Sequence, residues 1–94
     1  MNYVYILFSK TLNQFYIGET VDIEDRLKQH NSSFYDSAFT KKASDWILYH
    51  FIDCVNREQA RKIEAHIKKM KSKAYIQNLK KYPEITDKLK NKYH

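Results

Sequence analysis

The sequence predicts an α+β domain in which helices flank a three-stranded antiparallel sheet, in the order β-β-α-β-α-α. Three observations point there. Two short runs rich in β-branched and aromatic residues, Tyr3–Phe8 and Gln14–Gly18, are joined by a polar, turn-like segment, which is the pattern of a hairpin. A third such run, Trp46–Asp53, stands alone further along. Around it lie stretches whose apolar residues recur at helical spacing. Strands followed by segregated helices favour an α+β arrangement over alternating βαβ units.

The elements follow in chain order. Tyr3–Phe8 is apolar throughout and reads as a strand covered on both faces. Gln14–Gly18 ends on the only glycine of the chain. A glycine there marks either a close backbone approach or a simple strand terminus before a helix cap. A helix follows, capped by Asp22 or Thr20 and favoured by Glu24 and Asp25 in its first turn. Ile23 and Leu27 form its apolar stripe. Its end is expected near His30-Asn31, with Asn31 suited to a left-handed C-terminal conformation. Residues 31–45 read as a long polar loop with the basic tip Lys41-Lys42, and loops of that length in small domains are often functional.

After the third strand, Asn56 is placed to cap a second helix, with Gln59 completing a capping-box-like pair. Its apolar positions are Ala60, Ile63, Ile67 and Met70. Ser72 restarts the chain into a third helix carrying Tyr75, Ile76, Leu79 and Tyr82. Pro83 stops that helix and begins a short turn. The tail Lys88–His94 is basic and expected to fray. Residues 1–94 are therefore expected to form a single domain, with a core over about 3–82 and a basic C-terminal tail over 83–94.

Composition narrows the function classes. The chain has 94 residues and a formal net charge of +6. Residues 1–56 hold five Lys/Arg against seven Asp/Glu, whereas residues 57–94 hold twelve against four. Such a basic half attracts polyanions, although a solvated Lys-rich helix surface gives the same count. A single cysteine, Cys54, excludes an intramolecular disulfide and a zinc site of Cys spacing, and reads as a small buried residue. The N-terminal apolar run is too short for a signal peptide, and no run has transmembrane length. A cytoplasmic location without membrane association is the expectation.

Helical geometry singles out three polar residues. At about 100° per residue, with Ile23 at 0°, His30 falls near −20° and Arg26 near −60°. Both lie beside the apolar stripe, where an Arg needs an anionic partner, either a local carboxylate or a phosphate. On the second helix, with Ala60 at 0°, Glu64 falls near +40°, on the margin of the buried face. A carboxylate there is either paired with a neighbouring Lys or Arg or available to a cation.

Taken in order, Tyr5, Tyr16-Ile17-Gly18, Arg26, His30 and Glu64 resemble the GIY-YIG nuclease family, specifically its small stand-alone bacterial members. The stretches carrying the resemblance are VYIL, YIGET, RLKQH, Thr40-Lys41-Lys42, Trp46 and ARKIEAHIKKMKS. One half-motif departs from the pattern: Tyr3-Val4-Tyr5 keeps the tyrosine of Gly-Ile-Tyr and lacks the glycine. No separate DNA-binding domain accompanies the motif in this sequence.

The resemblance implies a metal-dependent endonuclease that hydrolyses DNA phosphodiester bonds by a single-metal mechanism. Glu64 would hold Mg²⁺ or Mn²⁺, which suits one carboxylate plus waters. Arg26 would contact the scissile phosphate. Tyr5 would orient or deprotonate the attacking water, His30 would accept or relay that proton, and Tyr16 would hydrogen-bond the water or phosphate. Gly18 would be a structural part of the motif. Lys41, Lys42, Lys68 and Lys71 would hold the DNA backbone, and RNA is an open alternative as substrate. The protein is expected to act as a monomer or weak dimer. The competing reading is a non-catalytic nucleic-acid-binding or interaction module on the same fold.

Overall fold

Val4, Tyr5, Ile6 and Leu7 are all buried, each at most 1% exposed. Successive strand residues point to opposite faces, so four in a row can be buried only if both faces of the strand are covered. β1 (Asn2–Ser9) is accordingly the central strand of a three-stranded antiparallel sheet in the order β2-β1-β3. The computed structural model describes residues 1–32 and 43–94. Its further elements are β2 (Gln14–Thr20), α1 (Ile23–Asn31), β3 (Trp46–Cys54), α2 (Arg57–Met70), α3 (Lys73–Lys81) and α4 (Pro83–Lys92).

The hairpin expected from the first two runs is present, and its register sets Tyr5 opposite Gly18. β3 pairs with the other edge of β1, placing Tyr5 opposite Phe51, with an irregularity between Ile6 and Leu7. The sheet separates two apolar clusters. Val4, Ile6, Ile52 and Cys54 pack against Ala60, Ile63, Ile67, Ile76, Leu79 and Leu89 of the three C-terminal helices. Tyr5, Leu7, Ala43 and Trp46 pack on the other side with Leu12, Tyr16, Ile23 and Leu27, so α1 covers that face.

Helix starts follow the expected caps. Asp22 accepts from the Asp25 backbone N–H at 3.1 Å, Asn56 from Gln59 at 2.8 Å and Ser72 from Tyr75 at 3.1 Å. The Gln59 side chain accepts from the Val55 N–H at 2.9 Å, one residue further out than in a simple capping box.

The structure corrects three readings. Residues 83–92, read as a short turn and a fraying tail, form α4, because Pro83 occupies the first turn, where a missing N–H is harmless. Leu89 of that helix is 4% exposed and belongs to the larger cluster. Asn31 does not adopt the left-handed region. It is the last residue of α1, and Ser32 closes the helix with φ −97°. Met70, placed on the apolar stripe of α2, is 46% exposed. Lys41, Lys42 and most of the 31–45 segment lie outside the described residues.

Candidate active site

Strand alternation puts Tyr5 on the α1 side of the sheet, and the hairpin register puts Gly18 directly across from it. The need for glycine at that point is steric. A Cβ on residue 18 would lie 2.6 Å from both Cζ and the hydroxyl oxygen of Tyr5. The dihedral is unexceptional, since no glycine has positive φ. Of the two readings of Gly18, the close approach is therefore correct. The phenol ring of Tyr5 lies over the bare backbone of β2.

Tyr16 is two residues before Gly18 and shares its face, with its ring 6.3 Å from that of Tyr5. α1 crosses above them. His30, beside its apolar stripe, is 2% exposed. Its Nε2 lies 3.0 Å from the Tyr5 hydroxyl, and its ring sits 4.7 Å from that of Tyr16. Arg26, one turn earlier and further from the stripe, is half-buried. Trp46 backs Tyr16 in an edge-on contact at 6.3 Å.

The end of α1 is tied to the start of β3 by one side chain. The Asn31 amide accepts from the Trp46 N–H at 2.7 Å and donates to the Trp46 carbonyl at 2.9 Å. Asp45, just before β3, accepts from the Ser9 hydroxyl at 2.7 Å and from the Thr11 N–H and hydroxyl at 2.9 Å each. These bonds hold the Asp45 carboxyl down at about 2. Neither anchor was singled out in the sequence, because each joins residues distant along the chain.

Electrostatics link the helices to the phenol. Burial raises the Tyr5 pKa above its usual value. The neighbouring Tyr16 adds to this, the Arg26 charge opposes it, and Glu64 and Glu19 add to it again. Burial lowers His30 to about 4, with Arg26 contributing. At neutral pH the site therefore holds a neutral phenol hydrogen-bonded to a neutral imidazole. One cation and two carboxylates act on that phenol.

Glu64, on α2, has a side chain 18% exposed, as its marginal position implied, and pairs with Lys68 at 2.6 Å. Among the described residues no group of three or more His, Cys, Asp or Glu is placed to hold a metal. A cation at Glu64 would thus have one protein carboxylate and take its other ligands from water and substrate. That donor set fits Mg²⁺ or Mn²⁺ and does not fit zinc. Lys68 meets Glu64 directly. Lys71 closes α2 in the left-handed region with φ 48° and, with Lys68, lines a surface groove beside Phe15 and Ile17. The structure thus gathers Tyr5, Tyr16, Gly18 and His30 into direct contact and brings Arg26 and Glu64 within electrostatic reach. It adds Glu19, whose partner is Arg57 at 3.4 Å.

No helix among the described residues is long and apolar enough to cross a membrane. The family model described as the GIY-YIG catalytic domain matches residues 1–82. The chain is also similar to a UPF0213 protein of Syntrophus aciditrophicus (strain SB), 42% identical over 85 residues, covering 88% of this chain and 94% of the relative. No solved structure matches.

Proposed function

Because the chain belongs to the GIY-YIG catalytic-domain family, a family of nucleases, we propose that it is an endonuclease that hydrolyses DNA phosphodiester bonds with the help of a divalent metal. The observation that carries this reading is the 3.0 Å contact between Tyr5 and His30, on a phenol that also feels the charges of Arg26 and Glu64. A module selected only to bind nucleic acid has no need of a buried proton-relay pair beside an acid and a base.

Hydrolysis requires a proton to leave water as the P–O bond forms. A buried phenol with a raised pKa is a poor base by itself. Tyr5 therefore works with His30. With the His30 proton on Nδ1, its Nε2 accepts from the Tyr5 hydroxyl, and the phenol oxygen is left free to accept from the attacking water. The imidazole is neutral at pH 7 and so has a lone pair to take that proton, while the raised Tyr5 pKa and the lowered His30 pKa both oppose full transfer. Tyr16 stands on the same face to hydrogen-bond the water or a phosphate oxygen. Arg26 binds a non-bridging oxygen of the scissile phosphate and stabilises the charge that grows there.

Glu64 is the residue that would hold the metal, Mg²⁺ or Mn²⁺. The bound cation supplies Lewis acidity and charge compensation at the phosphate. Lys68 gives way to it and, with Lys71, Lys41 and Lys42, contacts the DNA backbone. The protein is taken to act in the cytoplasm, as a monomer or weak dimer.

The test is cleavage of plasmid and branched DNA with and without Mg²⁺. Wild type is expected to nick only with metal. Glu64→Ala is expected to abolish nicking, and Tyr5→Phe and Arg26→Ala to slow it on the order of 10²-fold or more. A Glu64→Ala protein that cuts as well as wild type would sink the assignment.

A further inference from the structure

Arg57 opens α2 and was not singled out by any motif. Its guanidinium lies 3.4 Å from Glu19, with the Arg side chain 70% exposed and the Glu side chain 19% exposed. Both line a surface pocket of about 270 Å³ whose other walls are Asn2, Thr20, Val21 and Arg26. Two guanidiniums from two different helices therefore face one polar pocket. One of them, Arg26, also acts on Tyr5 and His30.

We infer that this pocket is a second phosphate subsite, in which Arg57 binds the phosphate next to the one held by Arg26, and Glu19 is the counter-ion that Arg57 exchanges for it. The inference rests on the nuclease reading for the identity of the ligand, a phosphodiester strand. Three features support it. An Arg fork matches phosphate oxygens better than it matches the single Glu19 contact at 3.4 Å. The Arg57 side chain is mostly solvated, so it can turn from Glu19 to a phosphate at little cost on its own side. The pocket shares Arg26 with the candidate active site, so a strand held by Arg26 has its next phosphate within the same pocket as Arg57. Glu19, in turn, places a negative charge where a phosphate must sit. It both holds Arg57 in position and opposes binding.

The test uses the full chain and a short fluorescein-labelled DNA, as single strand and as duplex, with binding read by anisotropy in EDTA across a salt series. Arg57→Ala is expected to weaken binding about tenfold and to reduce the salt slope by about one, as loss of one phosphate contact requires. Arg57→Lys is expected to recover the slope but not the full affinity. Glu19→Gln is expected to tighten binding several-fold. In cleavage assays Arg57→Ala is expected to raise KM more than it lowers kcat, the reverse of Arg26→Ala.

Unchanged affinity and slope in a folded Arg57→Ala protein would overturn the subsite, as would weaker binding in Glu19→Gln. If wild type binds DNA with these variant effects but cleaves nothing, the subsite stands and the nuclease reading fails. A wild-type chain that binds no DNA would overturn both.

Discussion

A methyl group at position 18 would overlap the Tyr5 ring, and the ring has nowhere to retreat. It is 1% exposed and hydrogen-bonded to His30. Gly18→Ala is therefore expected to destabilise the fold by about 1–3 kcal/mol through overpacking. It is also expected to move the phenol away from His30, lowering cleavage beyond what the lost stability explains. Thermal melts together with cleavage at a temperature where both proteins are fully folded check this, and an alanine variant with unchanged melt and rate would refute the steric account.

His30 gives a second prediction at the same scale. Its folded pKa of about 4 lies below the ordinary 6.5, so between those values the unfolded chain binds more protons than the folded one. The stability contributed by neutral His30 is complete above pH 6.5. It is lost progressively as pH falls through about 4, and amounts to at most about 3 kcal/mol. His50 and His66 are shifted in the same direction by burial and nearby lysines, and steepen the loss. Urea unfolding across this range should show the decline, and a His30→Gln protein should show a shallower one.

At the scale of elements, a helix wheel places a side chain on a face but tells neither how deeply it is buried nor what it meets. On α1 it set Arg26 and His30 together beside the apolar stripe, and on α2 it set Glu64 at the margin and Met70 on the stripe; in the structure Arg26 and Glu64 are partly buried, His30 is fully buried and Met70 is exposed. It could not reveal that His30 reaches Tyr5, because that contact depends on α1 crossing the sheet above β1. The hairpin was legible from its two runs, but the reason for Gly18 needed the register that sets it against Tyr5. The tie from Asn31 to Trp46 and the pairing of Glu19 with Arg57 stayed hidden for the same reason. In each the partners are far apart in sequence, and no local rule joins them.

The i,i+4 pair on α2 bears on the metal. Lys68 holds one oxygen of the Glu64 carboxylate at 2.6 Å, so a cation bound there would compete with it. Lys68→Met is expected to lower the Mg²⁺ concentration for half-maximal cleavage several-fold, while changing stability by no more than about 0.5 kcal/mol. If the Mg²⁺ requirement is unchanged and only DNA binding weakens, the Lys68 charge serves the substrate and not Glu64.

For the whole molecule, the sheet divides the labour. One face carries Tyr5 and Tyr16 beneath His30 of α1; the other carries the larger apolar cluster under α2, α3 and α4, with Glu64 on α2. The family match ends at residue 82, yet the core does not. α4 inserts Leu89 into the larger cluster, and the Lys90 carbonyl accepts from the Gln59 side chain at 3.2 Å. The Lys90 ammonium reaches Asp53 at 2.6 Å, and Tyr93 bonds His66 at 2.8 Å. A chain this small has a thin core, so each buried side chain is a sizeable share of the total. Leu89→Ala is expected to cost about 2–5 kcal/mol, as for a buried leucine elsewhere. Leu89 packs behind the sheet from Tyr5 and shares a cluster with α2, the helix of Glu64, which Ala60, Ile63 and Ile67 still anchor when Leu89 is shortened; the folded fraction of that variant is therefore expected to keep wild-type kcat. Denaturant melts and cleavage rates normalised to folded protein decide the matter. A melt unchanged by Leu89→Ala would show that α4 is an appendage, and a kcat that falls with stability restored by cooling would show that the two faces are coupled through β1.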